Sequence, residues 1–212
     1  MIRTGIANAE PLLEGSIYQE YLQKIPRWRQ EKAERLIHPA DRALSVGAWI
    51  LYEMLQKEYQ VSEQAVFNLS HSGKYVLCSL DSAEVPAAKV GCDIEKPGRD
   101  QERIAERFFT SAECRYIREA AGAVERKERF YRLWVLKESY VKAVRRGLGL
   151  GLHNFQFAFT AENTPYISVN RTGIAEQYFF KEYTYLRDAG AIAVCSTSPD
   201  FSEELFIGTM SI

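Results

Sequence analysis

The chain of 212 residues is poor in three features, and each shortage narrows what it can do. No apolar run approaches the roughly 18 residues that a membrane-spanning helix needs, so a membrane role is not expected. There is no Cys-x-x-Cys pair. Cys78, Cys92, Cys114 and Cys195 stand apart, without the spacing of a thiolate metal site or a disulfide framework. Each is expected to be a small buried apolar residue in a reducing, cytoplasmic setting. Excess charge is also missing: 27 Lys and Arg against 28 Asp and Glu leave a formal charge of -1. No global field therefore recruits nucleic acid or an anionic membrane. The opening MIRTGIANAE lacks a basic start followed by an apolar stretch, so no secretory signal is expected. Any anion must be held by a local cluster.

What is present is ordinary globular composition, 46% apolar and 26% charged, enough to bury a sizeable core. Helical spacing is read over residues 18–37, interrupted at Pro26, and in a second helix from Asp41 as N-cap, with Leu44, Leu51 and Leu55 on one side. VFNLSHSGKYVLCSL reads as two strands around a turn at Ser70-His71-Ser72-Gly73, and residues 89–95, KVGCDIE, as another strand. Helices follow over IAERFFTSAECRYIREA and RKERFYRLWVLKESYVKAVRR, ended by Gly147, Gly149 and Gly151. The remainder, FQFAF, YISV, QYFFKEYTYL and AIAVCST, reads as strands. Helices then strands, twice over, predict an α+β chain of two halves, 1–100 and 101–212.

Asp93 and Glu95 lie two apart in a strand, so both carboxylates share a face while Cys92 and Ile94 point the other way. Such a pair can supply hard oxygen ligands to magnesium, although an acidic pair at a strand end is more commonly a solvated edge. In the helix over 126–146, Phe130, Leu133, Trp134, Tyr140, Val141 and Val144 form an apolar stripe with Lys137 in its middle. A buried lysine needs a partner, and a phosphate beside a metal would be one. Glu138 and Lys142, one turn apart, have the alternative of a surface ion pair. Ser70 and His71 offer hydroxyl, imidazole and turn backbone to a phosphate, or form a plain hairpin turn. The basic run Arg27, Arg29, Lys32, Arg35 and Arg42 faces either a nucleotide phosphate or solvent, with Glu31 and Glu34 interleaved. Glu113, three residues after Thr110, has capping-box spacing, which explains it without catalysis.

Read together, FNLSHSG at 67–73, GCDIE at 91–95, RFFTSAE at 107–113 and LWVLKESYVKAVRRGLGL at 133–150 resemble the 4′-phosphopantetheinyl transferases. The resemblance is to the larger surfactin-type branch, in which two similar α+β halves are fused in tandem. It implies pseudo-twofold symmetry, an active site in the cleft between the halves, and sufficiency as a monomer. It further implies that Asp93, Glu95 and Glu138 hold magnesium, that Lys142 meets the diphosphate of coenzyme A, and that Lys137 belongs to the same motif. Ser70 and His71 match a pair contacting coenzyme A phosphates, Arg42 the arginine on its 3′-phosphate, and Arg29 and Lys32 further basic contacts. Glu113 matches a glutamate for which a general-base role is proposed, beside its capping explanation. One departure is clear: YQVSEQA leads into VFNLSHSG without the family's Gly-Lys-Pro segment, which contributes to the adenine pocket.

The implied reaction moves phosphopantetheine from coenzyme A to a serine of an acyl- or peptidyl-carrier protein, with Glu138 or Glu113 taking the proton. Two other readings compete with it. A magnesium phosphohydrolase would use the same ligands without a protein acceptor, and a non-catalytic carrier-binding module would need none of them. Carrier docking is expected within 108–125, where Phe108, Phe109, Tyr116, Ile117 and Arg118 cluster, unless the phenylalanines are core.

Overall fold

Proline punctuates the first helices. The computed structural model describes residues 1–83, 88–98, 101–184 and 190–210. Pro26 separates α1 (Gly15–Lys24) from α2 (Arg27–Glu34). Pro39 opens α3 (Pro39–Tyr59), because its fixed φ and missing N–H suit a first helical turn. Asp41 is therefore inside that turn and not at the cap, which is His38. Among the described residues no helix is long and apolar enough to cross a membrane.

The hairpin forms as β2 (Phe67–Ser72) and β3 (Tyr75–Asp81). Its turn is Gly73-Lys74, with Ser72 paired to Tyr75 and Gly73 at φ 60°. That corrects the expected turn at Ser70–Gly73: Ser70 and His71 are ladder residues, opposite Leu77 and Val76. Two further strands, β1 (Ile2–Asn8) and β9 (Phe206–Gly208), have no clear local pattern. They are fixed by pairing: the sheet order is β2-β3-β1-β9, with β1 antiparallel to β3 and parallel to β9. α3 packs on this sheet, burying Val46, Ile50, Leu51 and Leu55 in a core with Val76, Cys78 and Leu80.

The rest is built from β4 (Val90–Glu95), α4 (Gln101–Phe108), α5 (Ser111–Arg118) and the 22-residue α6 (Ala123–Val144). A hairpin follows, β5 (Phe155–Phe159) with β6 (Pro165–Asn170), then β7 (Phe179–Tyr183) and β8 (Ala191–Ser196). Residues 185 and 186 of the strand expected over 177–186 lie outside the described residues. β4, β8 and β7 form a sheet in that order, against which α6 lies. Arg145, left-handed at φ 60°, caps α6 ahead of the glycine cluster.

Two compact units result: Met1–Val90 with Asp200–Ile212, and Gly91–Pro199. The division thus falls before residue 100, and the C-terminal segment returns to the first unit because β9 pairs with β1. Residues 99 and 100, at the expected junction, lie outside the described residues.

Gly91 is the contact that brings β4 and α6 together. A Cβ there would lie 2.1 Å from the Ser139 carbonyl oxygen and 2.3 Å from the Ala143 nitrogen, both helix backbone. Only a residue without a side chain lets the helix lie this close to the strand. Gly91→Ala is expected to destabilise the protein by about 2–3 kcal/mol, the scale of an overpacked core. Urea unfolding measures this, and an unchanged midpoint would contradict the close approach.

Candidate active site

That approach sets the residues of β4 beside one face of α6. Lys142 Nζ donates to Asp93 Oδ1 at 2.6 Å and to the Cys92 carbonyl at 3.1 Å. Asp93 is buried and Glu95 half-buried, and Cys92 and Ile94, which alternate with them along the strand, are fully buried. Burial raises the Glu138 carboxyl above its usual range, and the neighbouring charges of Asp93 and Glu95 raise it further, against Lys142. Burial pulls the Lys142 ammonium down, but Asp93 and Glu138 outweigh it and hold the group above the ordinary lysine range. The three carboxylates and Lys142 are thus electrostatic neighbours, and Glu138 and Lys142 do not form an isolated surface pair.

Among the described residues no group of three or more His, Cys, Asp or Glu is already gathered as a metal cage. The donor chemistry nonetheless suits a hard cation. The carboxylates of Asp93, Glu95 and Glu138 are all oxygen donors, and magnesium takes one or two protein carboxylates, completing its octahedron with waters and phosphate. Asp93 is held meanwhile by Lys142.

Lys137 requires a correction. Its partner is Glu113 and not a phosphate: Nζ lies 3.0 Å from Glu113 Oε1, with both side chains fully buried. It also donates to the carbonyls of Leu152 at 2.7 Å and Phe155 at 2.8 Å, which together use its three protons. Burial lowers the lysine below its usual range, with Glu113 opposing. Glu113 is equally committed. Oε1 accepts from Phe157 N–H and Oε2 from Thr110 N–H, and Thr110 Oγ1 accepts from Glu113 N–H to complete the capping box. A carboxylate so occupied ties α5 to α6 and β5 and is not offered to a substrate as a base. Sequence spacing contained the cap but not the lysine, 24 positions away on another helix.

In the first unit the expected phosphate contacts differ in exposure. Lys32 and His71 are exposed, Arg42 is half-buried with Nε donating to the Leu36 carbonyl, and Ser70 is buried. Arg29 corrects its assignment: it is 5% exposed, donates to the Ser45 carbonyl at 2.8 Å, and lies against the rings of Trp28 and Trp49. Of the expected docking residues, Phe109 and Ile117 are core, and Phe108 packs edge-on to Trp134. Sequence reasoning held Gly91 only as the start of the GCDIE motif and passed over Trp28. A glycine inside a strand pattern signals the first, and nothing local signals the second.

A family model described as the 4′-phosphopantetheinyl transferase superfamily matches residues 89–195, the segment holding Asp93, Glu138 and Lys142. The chain belongs to that superfamily. Among the superfamily's members it is similar to the 4′-phosphopantetheinyl transferase Sfp of Bacillus subtilis (strain 168), 28% identical over 208 residues and 88% of each chain. The Bacillus subtilis 4′-phosphopantetheinyl transferase ffp is 30% identical over 198 residues, 84% of each chain. A crystal structure of Thermotoga maritima holo-[acyl-carrier-protein] synthase covers 51% of this superfamily member and 61% of its own chain, at 24% identity and a TM-score of 0.43.

Proposed function

We propose that this protein transfers the 4′-phosphopantetheine arm of coenzyme A to a serine hydroxyl of an apo acyl- or peptidyl-carrier protein. The observation that carries the reading is Lys142 held by Asp93 with Glu138 as an electrostatic neighbour, within the segment that matches the transferase superfamily. Asp93, Glu95 and Glu138 would hold magnesium, which when bound offsets negative charge on the diphosphate oxygens. Lys142, cationic at neutral pH, donates to those oxygens as charge grows on them. Glu138 takes the proton of the serine hydroxyl as general base. The serine oxygen bonds to the phosphorus that carries pantetheine. The bond from that phosphorus to the bridging oxygen breaks, and 3′,5′-adenosine bisphosphate leaves with the electron pair.

In the first unit, Lys32, Arg42, Ser70 and His71 are assigned to the phosphates of coenzyme A. The same reading takes the chain as two tandem α+β halves. In support, each unit lays one long helix on a sheet, α3 on β3 and α6 on β8. None of the four cysteines forms a disulfide, which suits a reducing compartment, and the reading places the enzyme in the cytoplasm as a monomer.

Mass spectrometry tests the reaction. An apo carrier protein incubated with the enzyme, magnesium and coenzyme A is expected to gain one phosphopantetheine, and to gain none when EDTA is present. Hydrolysis of coenzyme A at the same rate with and without the carrier would favour a phosphohydrolase instead.

A further inference from the structure

Trp28 is a large ring on the solvent side of α2, 55% exposed, yet it is firmly supported from beneath. Its indole meets Trp49 edge-on at 5.0 Å between centroids, and Trp49 in turn packs on Tyr52 at 4.9 Å and Phe67 at 5.8 Å. Trp49 is fixed by its Nε1–H, which donates to Glu53 at 2.7 Å, and Tyr52 stacks on Phe67 at 4.1 Å. The cluster therefore joins α2 and α3 to the first residue of β2. By the two-residue strand period, His71 shares the face of β2 that Phe67 and Leu69 present to this cluster.

The second observation is Arg29. Its guanidinium is buried beside both indoles, with centroids at 5.5 Å for Trp28 and 4.9 Å for Trp49. Its Nε is buried with no acceptor, and no carboxylate among the described residues pairs with it. A buried cation without a counter-charge leaves a positive field at the surface it underlies. Lys32 on α2, Arg35 at its C-cap and Arg42 on α3 add cations, with Glu31 and Glu34 interleaved on α2. A flat exposed ring over a buried positive charge suits a planar base that carries phosphate. It does not suit an aliphatic side chain, which gains nothing from the field.

We propose that Trp28, braced by Trp49 and Arg29, is the platform on which the adenine ring of coenzyme A stacks. The assignment rests on the transferase reading above, and supplies an adenine contact in a chain without a Gly-Lys-Pro segment ahead of β2. Trp28 is the ligand-touching residue, and Arg29 and Trp49 position it.

The test compares binding of 3′,5′-adenosine bisphosphate and of 4′-phosphopantetheine, which lacks the base, to the full chain and its variants. Base–aromatic stacking is worth about 1–3 kcal/mol, so Trp28→Ala is expected to weaken the bisphosphate roughly tenfold and leave 4′-phosphopantetheine unchanged. Trp28→Phe is expected to weaken it by a few fold, and to lose most of the fluorescence quenching that the nucleotide causes in the wild type. In turnover, Trp28→Ala is expected to raise KM for coenzyme A with little change in kcat. Unchanged bisphosphate affinity in Trp28→Ala would overturn the platform, as would a rise in KM for the carrier protein alone, which would make Trp28 an acceptor contact. If the wild type transfers phosphopantetheine and only the Trp28 effect is missing, the platform fails while the transferase reading stands. Failure of the wild type to bind coenzyme A or the bisphosphate sinks both.

Discussion

Asp93→Asn is expected to lower phosphopantetheine transfer by about 10³-fold, the upper range for loss of one preorganised electrostatic group. The substitution keeps the shape of the side chain and removes its charge. Lys142 then loses the carboxylate held at 2.6 Å, and the acidic group loses one of its charged oxygen donors for a hard cation. Stability should change far less. Lys142 keeps the Cys92 carbonyl and the amide oxygen still accepts from it, so the stability cost is that of one weakened hydrogen bond, about 1–3 kcal/mol. Transfer rates with saturating coenzyme A, set beside a thermal melt, separate the two effects. A variant that folds normally and retains its rate would remove Asp93 from the chemistry, and the magnesium assignment with it.

Lys137→Met should produce the opposite pattern, a large loss of stability. Here one member of a fully buried pair is removed. The Glu113 carboxylate is left in the core without its cation, and the carbonyls of Leu152 and Phe155 lose their donor. Breaking such a pair costs about 3–5 kcal/mol. For a chain of this size that lowers Tm by on the order of 10 °C. Glu113→Gln discriminates between the structural and the catalytic role. It retains an acceptor for the Thr110 or Phe157 N–H but strands the lysine, so a fall in Tm is expected, with activity per folded molecule falling far less than in Asp93→Asn. If Glu113 were the general base, Glu113→Gln would lose its rate at an unchanged Tm.

The sequence alone carried the α+β class, the order of most elements and the four motifs that place the chain among the phosphopantetheinyl transferases. It did so because strand and helix periods are local: two residues put Asp93 and Glu95 on one face, and one helical turn relates Glu138 to Lys142. The Thr110–Glu113 capping box is equally local, four residues long, and forms as its spacing predicts.

Contacts between elements were left to the tertiary structure. Helical spacing put Lys137 in an apolar stripe and required a partner for it, but only the packing of α5 against α6 supplied Glu113. Arg29 has the look of a solvated cation in an alternating charged run, and becomes the buried support of an aromatic cluster because α3 places Trp49 beside it. β1 is held by pairing with β3, and β9 by pairing with β1 from the opposite end of the chain, pairings that no short window contains. Gly91 shows the division most clearly. Its place in a motif is visible in the sequence, but its reason is a helix backbone passing where a Cβ would be, and that closeness is what lets Lys142 reach Asp93.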